Sequence, residues 1–396
     1  MGKTSKGKKH IEWTWIEDNS ALDRAVKEWK KFPDLAVDTE FIRETSYFPD
    51  LCLIQVATMD HVWLIDTLSI DPETADSFRE ILLDPKVLKI MHAAYADQEA
   101  IYWAFGIVAT PVFDTSVGAA LAGIGDQVGL GKLARELVGV DLPKGQARAK
   151  WKDRPLPEHL GEYAAGDVAY LVDMSRRLLD KLSKLGREDW AIEAGQILVE
   201  DIDPEPRDFA IEMVNGLDLD AAASGRFIAM VIWREEAARN ENIPRLWVLR
   251  QDVLLSLAKV NPKNQEQLRS FRGMTKYQLN KWSDDILEAL HNAEPFKRSA
   301  RRERMDSDKL AGYTDFLKSW LNWIARKLEI SPRYLMTKDQ ILMLLCNADQ
   351  SEAEWVKRGI LSENSVKLIG KELRECLEGK RAMVIQNGEP CFIELP

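Results

Sequence analysis

Residues 35–41, Leu-Ala-Val-Asp-Thr-Glu-Phe, have the apolar and β-branched composition of a buried strand, yet they include two carboxylates. Successive side chains of a strand alternate between its two faces, so Asp38 and Glu40 point the same way. Two like charges on one buried face repel each other, and burying them without a partner is costly. A divalent cation would remove that cost. The pair therefore predicts a metal site with this strand as its floor.

The composition is that of a globular protein with two or three domains, since the chain has 396 residues of which 45% are hydrophobic and 30% are charged. No stretch has the roughly 18 apolar residues of a membrane span, and residues 1–12 form a lysine-rich end that we expect to be a disordered tail. The four cysteines are scattered without a Cys-x-x-Cys pair, which disfavours a zinc site or a disulfide framework and fits a reducing cytoplasm. The net charge of −10 disfavours a protein that coats nucleic acid over its whole surface.

The order of hydrophobic patterns predicts an α/β domain with a mixed sheet at the amino-terminal end of the chain. Three strands with short connections should form an antiparallel meander (residues 35–41, 51–57 and 61–66). Helices and strands then alternate. The helices are expected at 18–31, 75–83, 97–105 and 116–122, and the further strands at 87–92 and 110–114.

A basic segment, residues 144–157, precedes a long helix that the pattern predicts over 158–182. The acidic and proline-rich residues 200–206 mark the best domain boundary. Beyond it the pattern is helical, first as a bundle of about five helices and then, after a basic linker at 297–304, as a second helical module. Near the end, Asn387-Gly388 between two apolar runs indicates a β-hairpin, although Pro390 weakens this prediction.

Two further carboxylates and a tyrosine complete the candidate site. Asp97 follows a predicted strand and begins a helix, and Tyr163 and Asp167 lie four residues apart on one face of the long helix. Each has an ordinary explanation: Asp97 as a helix N-cap, Asp167 as part of a solvated face and Tyr163 as packing. The combination of an Asp-x-Glu strand, a later aspartate and a Tyr-x-x-x-Asp helix is much more specific than its parts.

These motifs resemble the DEDDy 3′–5′ exonucleases, and the chain resembles the ribonuclease D family in particular. The similarity extends over most of residues 34–180 in the family's order and includes Leu-Ile-Gln-Val-Ala at 53–57, Val-Phe-Asp-Thr at 112–115 and Arg-Pro-Leu at 154–156. The resemblance implies an α/β ribonuclease H-like exonuclease domain with a mixed central sheet, within 13–203. It also implies two all-α HRDC-like modules after it, HRDC being the helicase-and-RNase-D carboxy-terminal domain.

For the site, the resemblance implies that Asp38, Glu40, Asp97 and Asp167 hold two divalent cations, Mg²⁺ or Mn²⁺, and that Tyr163 orients or helps deprotonate the attacking water. Hard oxygen ligands suit these ions. The backbone at Thr39 and the side chain of Phe41 are expected beside the terminal nucleotide. The basic segment would hold the RNA backbone, and its tryptophan could stack a base or instead pack inward; the expected substrate contacts there are Lys144, Arg148, Trp151 and Arg154.

Residues 208–295 resemble the HRDC domain, notably at Asn-Glu-Asn-Ile-Pro (240–244) and Trp-Val-Leu (247–249). Residues 305–396 are assigned to a second, divergent HRDC-like module mainly by position. Such modules are thought to contact nucleic acid, and the candidate contact cations here are Arg245, Arg250, Lys259, Lys263, Arg269, Arg272 and Lys276; solvated surface charges are the alternative.

The resemblance thus implies a cytoplasmic, monomeric exoribonuclease that trims single-stranded 3′ ends of structured RNA such as tRNA precursors and releases nucleoside 5′-monophosphates. One alternative is a DEDDy exonuclease that acts on DNA, which the HRDC architecture disfavours because no helicase P-loop is present. Another is a non-catalytic RNA-binding adaptor, which would be expected to have lost one of the acidic residues. A pure interaction scaffold leaves the four acids unexplained.

Overall fold

The computed structural model describes residues 11–143, 145–146, 149–200, 202–297 and 307–395. The amino-terminal domain contains six strands and eight helices in this part of the chain, with one turn of 3-10 helix at Pro72–Thr74. The strands are β1 (Trp13–Ile16), β2 (Asp34–Ile42), β3 (Asp50–Ala57), β4 (Val62–Asp66), β5 (Leu88–Met91) and β6 (Val112–Asp114). The helices are α1 (Asn19–Trp29), α2 (Asp76–Leu83), α3 (Tyr95–Phe105), α4 (Thr115–Leu121), α5 (Leu130–Leu137), α6 (Glu158–Val168), α7 (Leu171–Lys184) and α8 (Glu188–Ile197).

The six strands form one mixed sheet in the order β1-β4-β3-β2-β5-β6. The predicted meander is confirmed, since β3 pairs antiparallel with both β2 and β4. Strands β5 and β6 extend the sheet in parallel beyond β2. Strand β1, which the sequence analysis did not predict, pairs in parallel with β4 and closes the other edge. The carboxylate-bearing strand β2 therefore lies in the interior of the sheet.

Helices cover both faces of this sheet. On one face, residues such as Val37 and Ile54 pack against α1, α2 and α3. On the other, Ala36 and Leu53 pack under α4 to α8. Because side chains alternate along a strand, Asp38 shares the face of Ala36 and lies on the α6 side.

The helix predicted over 158–182 is interrupted. Helix α6 ends at Val168 and α7 begins at Leu171, with Ala169 and Tyr170 as the respective cap residues. The break lets α6 contact β2, β3 and β4 while α7 turns toward β5 and α4. Neither Ala169 nor Tyr170 is a helix breaker, so the interruption comes from packing against the sheet and not from local propensity.

The middle module, residues 206–296, consists of six described helices with their own core; these are α9 (Pro206–Asn215), α10 (Ala221–Glu241), α11 (Arg245–Val248), α12 (Gln251–Val260), α13 (Gln265–Arg269) and α14 (Lys276–His291). The expected bundle of about five helices is thus confirmed with one more element. Most of the expected linker, from residue 298 on, and the tail at 1–10 lie outside the described residues.

The family resemblance implied that the carboxy-terminal module, residues 307–395, would be all-α, but the module ends in a two-stranded sheet. Its helices are α15 (Ser307–Lys327), α16 (Pro332–Leu335), α17 (Lys338–Leu345), α18 (Glu352–Lys357) and α19 (Glu363–Leu377), followed by β7 (Arg381–Gln386) and β8 (Glu389–Glu394). The Asn387-Gly388 turn joins two antiparallel strands, as the sequence predicted. Both turn residues have positive φ angles, 55° and 82°, which Asn and Gly accept readily.

The two modules are attached to the amino-terminal domain in different ways. A polar junction centred on Tyr47 joins the middle module: the Tyr47 hydroxyl donates to Glu235 (3.1 Å) and accepts from Arg239 and Arg245 (3.1 and 3.2 Å). The Oδ1 atom of Asn242 accepts the N–H groups of Tyr47 and the next residue, each at 3.1 Å. The carboxy-terminal module instead shares one continuous hydrophobic core with α4 to α8.

Hydrogen bonds reinforce this shared core. The buried guanidinium of Arg187 donates to the carbonyl oxygens of Leu121, Leu328 and Glu329 at 2.8, 2.6 and 3.2 Å. Among the described residues, no helix has both the length and the apolar character needed to cross a membrane.

Candidate active site

Strand β2 supplies the floor of the site. Asp38 and Glu40 lie on its α6 face, and Thr39 between them points to the opposite face, where it is buried. The β2–β3 pairing shifts register between Glu40 and Phe41, so one extra β3 residue is accommodated there. Such a bulge bends a strand and redirects its side chains. Glu40 is therefore the last residue of β2 before the bulge, and Asp38 lies two residues before it in the regular part of the ladder.

Asp97 approaches this floor from α3, where it occupies the first turn. It is not the N-cap, because that position belongs to Ala94. Its carboxyl accepts a hydrogen bond of 2.5 Å from the Thr39 hydroxyl, together with one from the Thr39 backbone. Thr39 thus fixes Asp97 at the strand.

The start of α3 is held by a residue of β6. The Asp114 carboxylate accepts the N–H groups of Ala93 and Ala94 at 3.0 and 2.9 Å, and it also caps α4 through Ser116 (2.8 Å). Ala93 adopts a φ of 57°, a conformation that L-residues rarely occupy. The nearby His92 ring bonds to the Thr115 hydroxyl at 2.9 Å. Asp114 and His92 therefore have structural partners and support Asp97 indirectly.

Helix α6 brings Asp167 and Tyr163 over the floor. The helix lies against β2, β3 and β4. It comes close on the β1 side because Gly161 leaves room for Trp13: a Cβ at Gly161 would lie 2.8 Å from that ring. The Tyr163 hydroxyl donates a hydrogen bond to the Asp167 carboxylate. All five predicted catalytic residues are consequently brought to one place, and the position of Tyr163 and Asp167 on one helix face is confirmed.

The electrostatics of this place are those of crowded, desolvated acids. Burial and then the charge of Asp167 raise the pKa of Asp38 to about 8. Burial and the charges of the three other acids raise the pKa of Glu40 to about 9. Burial raises the pKa of Asp167 to about 7 although Tyr163 donates to it, and burial together with Asp38 raises the pKa of Asp97 well above its usual value.

The pKa of the Tyr163 hydroxyl is likewise raised well above its usual range by burial and by the neighbouring Asp167 and Glu40. None of the described groups that shift the four carboxyl pKa values is a cation. A buried cluster of acids without a positive partner is energetically unfavourable unless protons or metal ions neutralise it. The donor set, four carboxylates, is the one that hard divalent cations prefer.

The four carboxylates are near neighbours and not a ready-made ligand shell. Across the described ranges, no group of three or more His, Cys, Asp or Glu side chains is arranged so that it could hold a metal ion as it stands. The pKa of each acid is nevertheless raised by the charge of at least one of the other three.

Two of the expected substrate contacts have structural roles instead. Trp151 is 1% exposed and packs inward against the core, 6.2 Å from the Tyr163 ring between centroids, so the interpretation as a base-stacking residue is wrong for this structure. Arg154 forms a two-pronged ion pair with Asp66 at 2.8 and 2.6 Å and also donates to the Cys52 carbonyl at 2.9 Å. Its guanidinium is therefore committed to the fold.

Of the remaining expected contacts, Thr39 and Phe41 lie in the described part of the chain. Lys144 and Arg148 lie outside the described residues. Phe41 is partly buried and packs against the core on the face opposite Asp38, beside the bulge. The side chain of Thr39 and its backbone N–H both bond to Asp97.

One wall of the site is basic, and its residues were not predicted from the sequence. Tyr163 and Asp167 line a cavity of about 360 Å³ whose opposite wall is the start of α5, with Lys132 and Arg135. Arg135 pairs with Asp141 at 2.7 Å, whereas exposed Lys132 has no acidic partner among the described residues. Helix α5 was not predicted, so nothing in the local pattern placed this lysine opposite the acids.

Comparison with known proteins identifies the family to which the chain is similar. Residues 13–184 match the 3′–5′ exonuclease family model and residues 224–290 match that of the HRDC domain. The chain is 31% identical to ribonuclease D of Sphingobium indicum over 94% of this chain and 96% of that protein. It is 33% identical to ribonuclease D of Pseudomonas paraeruginosa over 84% and 89% of the two chains.

Among solved structures, Escherichia coli RNase D, described as an exoribonuclease involved in structured RNA processing, superimposes with a TM-score of 0.79 at 26% identity. The alignment covers 93% of this chain and 99% of that one. The catalytic core of RRP6 from Trypanosoma brucei shares the fold at 21% identity, with a TM-score of 0.52 over 71% and 79% of the chains. The chain belongs to the ribonuclease D family of 3′–5′ exoribonucleases.

Proposed function

We propose that this enzyme removes nucleotides one at a time from a single-stranded 3′ end of RNA by hydrolysis that depends on two divalent cations, Mg²⁺ or Mn²⁺. The observation that carries the proposal is a cluster of four desolvated carboxylates, Asp97 buried and the other three half-buried, whose pKa values are all raised and which no described cation neutralises. The ligands in this proposal are Asp38, Glu40, Asp97 and Asp167. The chemistry that the bound ions supply is activation of a water molecule and neutralisation of the charge that develops on the phosphate and the leaving oxygen.

The protein's own groups position the reaction. Thr39 holds the Asp97 carboxyl through its hydroxyl, and Asp114 holds the helix that carries Asp97. The protonated Tyr163 hydroxyl, donating to Asp167, is placed to accept a hydrogen bond from the attacking water and so to orient it. Water attacks the last phosphodiester, the bond from phosphorus to the 3′ oxygen breaks, and the shortened RNA keeps a 3′-hydroxyl. The product is a nucleoside 5′-monophosphate.

The RNA backbone needs cations near these acids, because the acids alone would repel it. Lys132 at the mouth of the 360 Å³ cavity supports this role, since it stands opposite Tyr163 and Asp167 without an acidic partner in the described chain. The backbone at Thr39 and the ring of Phe41 are proposed to border the terminal nucleotide, and Lys144 and Arg148 remain proposed backbone contacts. Trp151 and Arg154 are left out because the core and Asp66 occupy them.

Structured RNAs, including tRNA precursors, are the proposed physiological substrates. Support comes from the relative in Escherichia coli, which is described as acting in structured RNA processing, and from the two helical modules that could contact such RNA. The proposed setting is a reducing cytoplasm, which the four unpaired cysteines support. The second HRDC-like assignment, for residues 305–396, and the monomeric state remain predictions.

The test is hydrolysis of 5′-labelled RNA and DNA oligonucleotides with free or blocked 3′ ends, in Mg²⁺, Mn²⁺ or a chelator. We expect stepwise shortening of RNA from the free 3′ end, loss of activity with the chelator, and loss in the isosteric variant Asp38→Asn. Asp60→Asn, at an exposed turn between β3 and β4, is the matched control and should stay active. Faster degradation of DNA would support the DNA exonuclease alternative, and RNA binding without cleavage would support the adaptor.

A further inference from the structure

Gln55 is a buried polar residue that the fold does not explain. Its side chain is 0% exposed, and neither the amide oxygen nor the amide nitrogen has a hydrogen-bond partner among the described residues. A buried amide normally finds partners, because leaving it without them forfeits the hydrogen bonds that it made to water. An unpartnered buried group therefore needs a reason for its presence.

Of the residues beside Gln55 on the neighbouring strand positions, only one is polar. On β3 its same-face neighbours are Leu53 and Ala57, and across the ladder with β4 it faces Leu64, all of them apolar. On the β2 side, Gln55 is in register with Asp38. The carboxylate of Asp38 is thus the polar group that stands directly beside it on the α6 face of the sheet.

A second buried glutamine of the chain shows how a purely structural one behaves. Gln98 on α3 is also 0% exposed, but its amide nitrogen donates to the Ala109 carbonyl at 3.0 Å and its amide oxygen accepts the Ala109 N–H at 2.8 Å. Both of its groups are satisfied by one backbone position. The contrast with Gln55 shows that this fold can pair a buried glutamine fully when the glutamine serves the fold.

We infer that Gln55 is a positioning residue for Asp38. Side chains that face each other across an antiparallel ladder have Cβ atoms about 4.5–5.5 Å apart, so the glutamine amide can reach the carboxylate by rotation of its side chain. When Asp38 holds a metal ion, the Gln55 amide nitrogen would donate a hydrogen bond to the Asp38 carboxylate. This fixes the carboxylate orientation, as outer hydrogen-bond partners do for other ligating groups. The inference rests on the proposed metal-dependent function of the same site.

A positioning role and a packing role for Gln55 predict different effects of removing its amide. If Gln55 only filled space, an apolar side chain of similar length would lower neither metal affinity nor turnover. If it positions Asp38, removal of the amide weakens ion binding by about 10–100-fold, which is the usual effect of removing such a partner. The same removal should not harm the metal-free protein, since it eliminates two buried groups that have no partner.

The experiment compares Gln55→Met with Gln98→Met in the full-length protein. The melting temperature is measured in chelator, Mn²⁺ or Mg²⁺ binding is measured by calorimetry, and hydrolysis of a labelled RNA is followed as a function of metal concentration. For Gln55→Met we expect an unchanged or higher melting temperature without metal, with the metal dissociation constant raised about 10–100-fold. For Gln98→Met we expect a lower melting temperature and unchanged metal affinity, because that substitution leaves the Ala109 backbone groups without partners.

A Gln55→Met protein with wild-type metal affinity would overturn the inference while leaving the proposed function intact. A wild-type protein that neither binds these ions nor cleaves RNA would overturn both, so the two failures can be told apart. Gln55→Leu is the second variant, with the same expectations. If neither apolar variant can be obtained folded, Gln55 serves the fold itself and the inference is wrong.

Discussion

Two aspartates of the same sheet, buried Asp66 and half-buried Asp38, show how a partner decides what a carboxylate does. Asp66 ends β4 and is 3% exposed, and Arg154 holds both of its oxygens. Burial works to raise the Asp66 pKa, but the hydrogen bonds and charge of Arg154 outweigh burial and hold the pKa below its usual value. Asp38, two strands away, has acids for neighbours, and its pKa is raised to about 8.

The difference separates a carboxylate that is paired within the fold from one that we propose as a metal ligand. The Asp66–Arg154 pair joins β4 to the loop before α6, and the Cys52 carbonyl binds the same guanidinium. Asp38 and its three acidic neighbours have no such cationic partner among the groups that shift their pKa values. Their arrangement is unfavourable until cations neutralise it, so it persists because the rest of the domain is stable enough to hold it.

The largest effect should come from the unpaired cluster. Asp167→Asn removes one charge but keeps an acceptor for the Tyr163 hydroxyl, and we expect RNA hydrolysis to fall roughly 1,000-fold. Without metal the variant should melt no lower than the wild type, because a mutual repulsion has been relieved. Asp180→Asn, an exposed aspartate on α7 that pairs with Lys184, is the control. Rates and melting curves of both variants check the expectation, and a Asp167→Asn enzyme within tenfold of wild type would contradict it.

The paired aspartate should give the opposite result. Asp66→Asn leaves the Arg154 guanidinium partly buried without its charge partner, and we expect a loss of about 3 kcal/mol in the free energy of unfolding. Hydrolysis by the folded fraction should be nearly unchanged. The double variant Asp66→Asn with Arg154→Met should lose less than the sum of the two single losses. Urea unfolding measures these differences, and additive losses would show that the pair contributes no interaction energy.

The two kinds of carboxylate should also give stability opposite dependences on pH. In the cluster, the pKa values are about 7, 8 and 9 for Asp167, Asp38 and Glu40 in the folded protein, against roughly 4 when unfolded. Between these values the folded state binds more protons, so the free energy of unfolding of metal-free protein falls as pH rises toward 9. Asp66 has a lowered pKa, so its contribution is present above pH 4 and is lost as pH falls through that lowered value.

Melting temperatures measured from pH 3 to pH 9, with and without Mg²⁺, check both slopes. Mg²⁺ should reduce the decrease of the melting temperature at high pH, because bound ions would stabilise the ionised cluster. In the Asp66→Asn variant, the decrease of the melting temperature at low pH should be smaller than in the wild type. A metal-free protein that becomes more stable between pH 6 and pH 9 would show that the cluster is not desolvated in solution.

The smallest effect should come from the cation that lacks a partner. Unlike Arg154, Lys132 is exposed and unpaired in the described chain, so Lys132→Met should leave stability unchanged. We expect KM for RNA to rise about threefold with kcat preserved, and the salt dependence of KM to weaken by about 0.7 in logarithmic slope, the value for one contact to a single strand. Lys30→Met, on the opposite face beside Glu80, is the control. A change in kcat without a change in KM would exclude a backbone contact.

The sequence was sufficient for the features that depend on local alternation and spacing. The shared face of Asp38 and Glu40 follows from strand geometry, and that of Tyr163 and Asp167 follows from helix geometry. The structure confirms both. The meander and the Asn387 turn were equally local and were predicted correctly.

What the sequence could not give depends on partners far along the chain. The environment of Arg154 is set by Asp66, 88 residues earlier, and that of Trp151 by the core beneath α6. The sequence therefore predicted an RNA contact for Arg154 and left base stacking and inward packing both open for Trp151. Strand β1 forms by pairing in parallel with β4, which lies 49 residues further along the chain, so its local sequence does not reveal it. The break between α6 and α7 and the position of Lys132 likewise follow from packing over the sheet.

The Tyr47 junction has a further consequence, because the module that it holds is covalently anchored at both ends. The chain enters the middle module from the amino-terminal domain and leaves it for a module that shares that domain's core. Undocking at Tyr47 is therefore an intramolecular equilibrium with a high effective concentration for return. Dilution cannot shift it, and salt or a substitution at the junction changes the docked fraction without releasing the module.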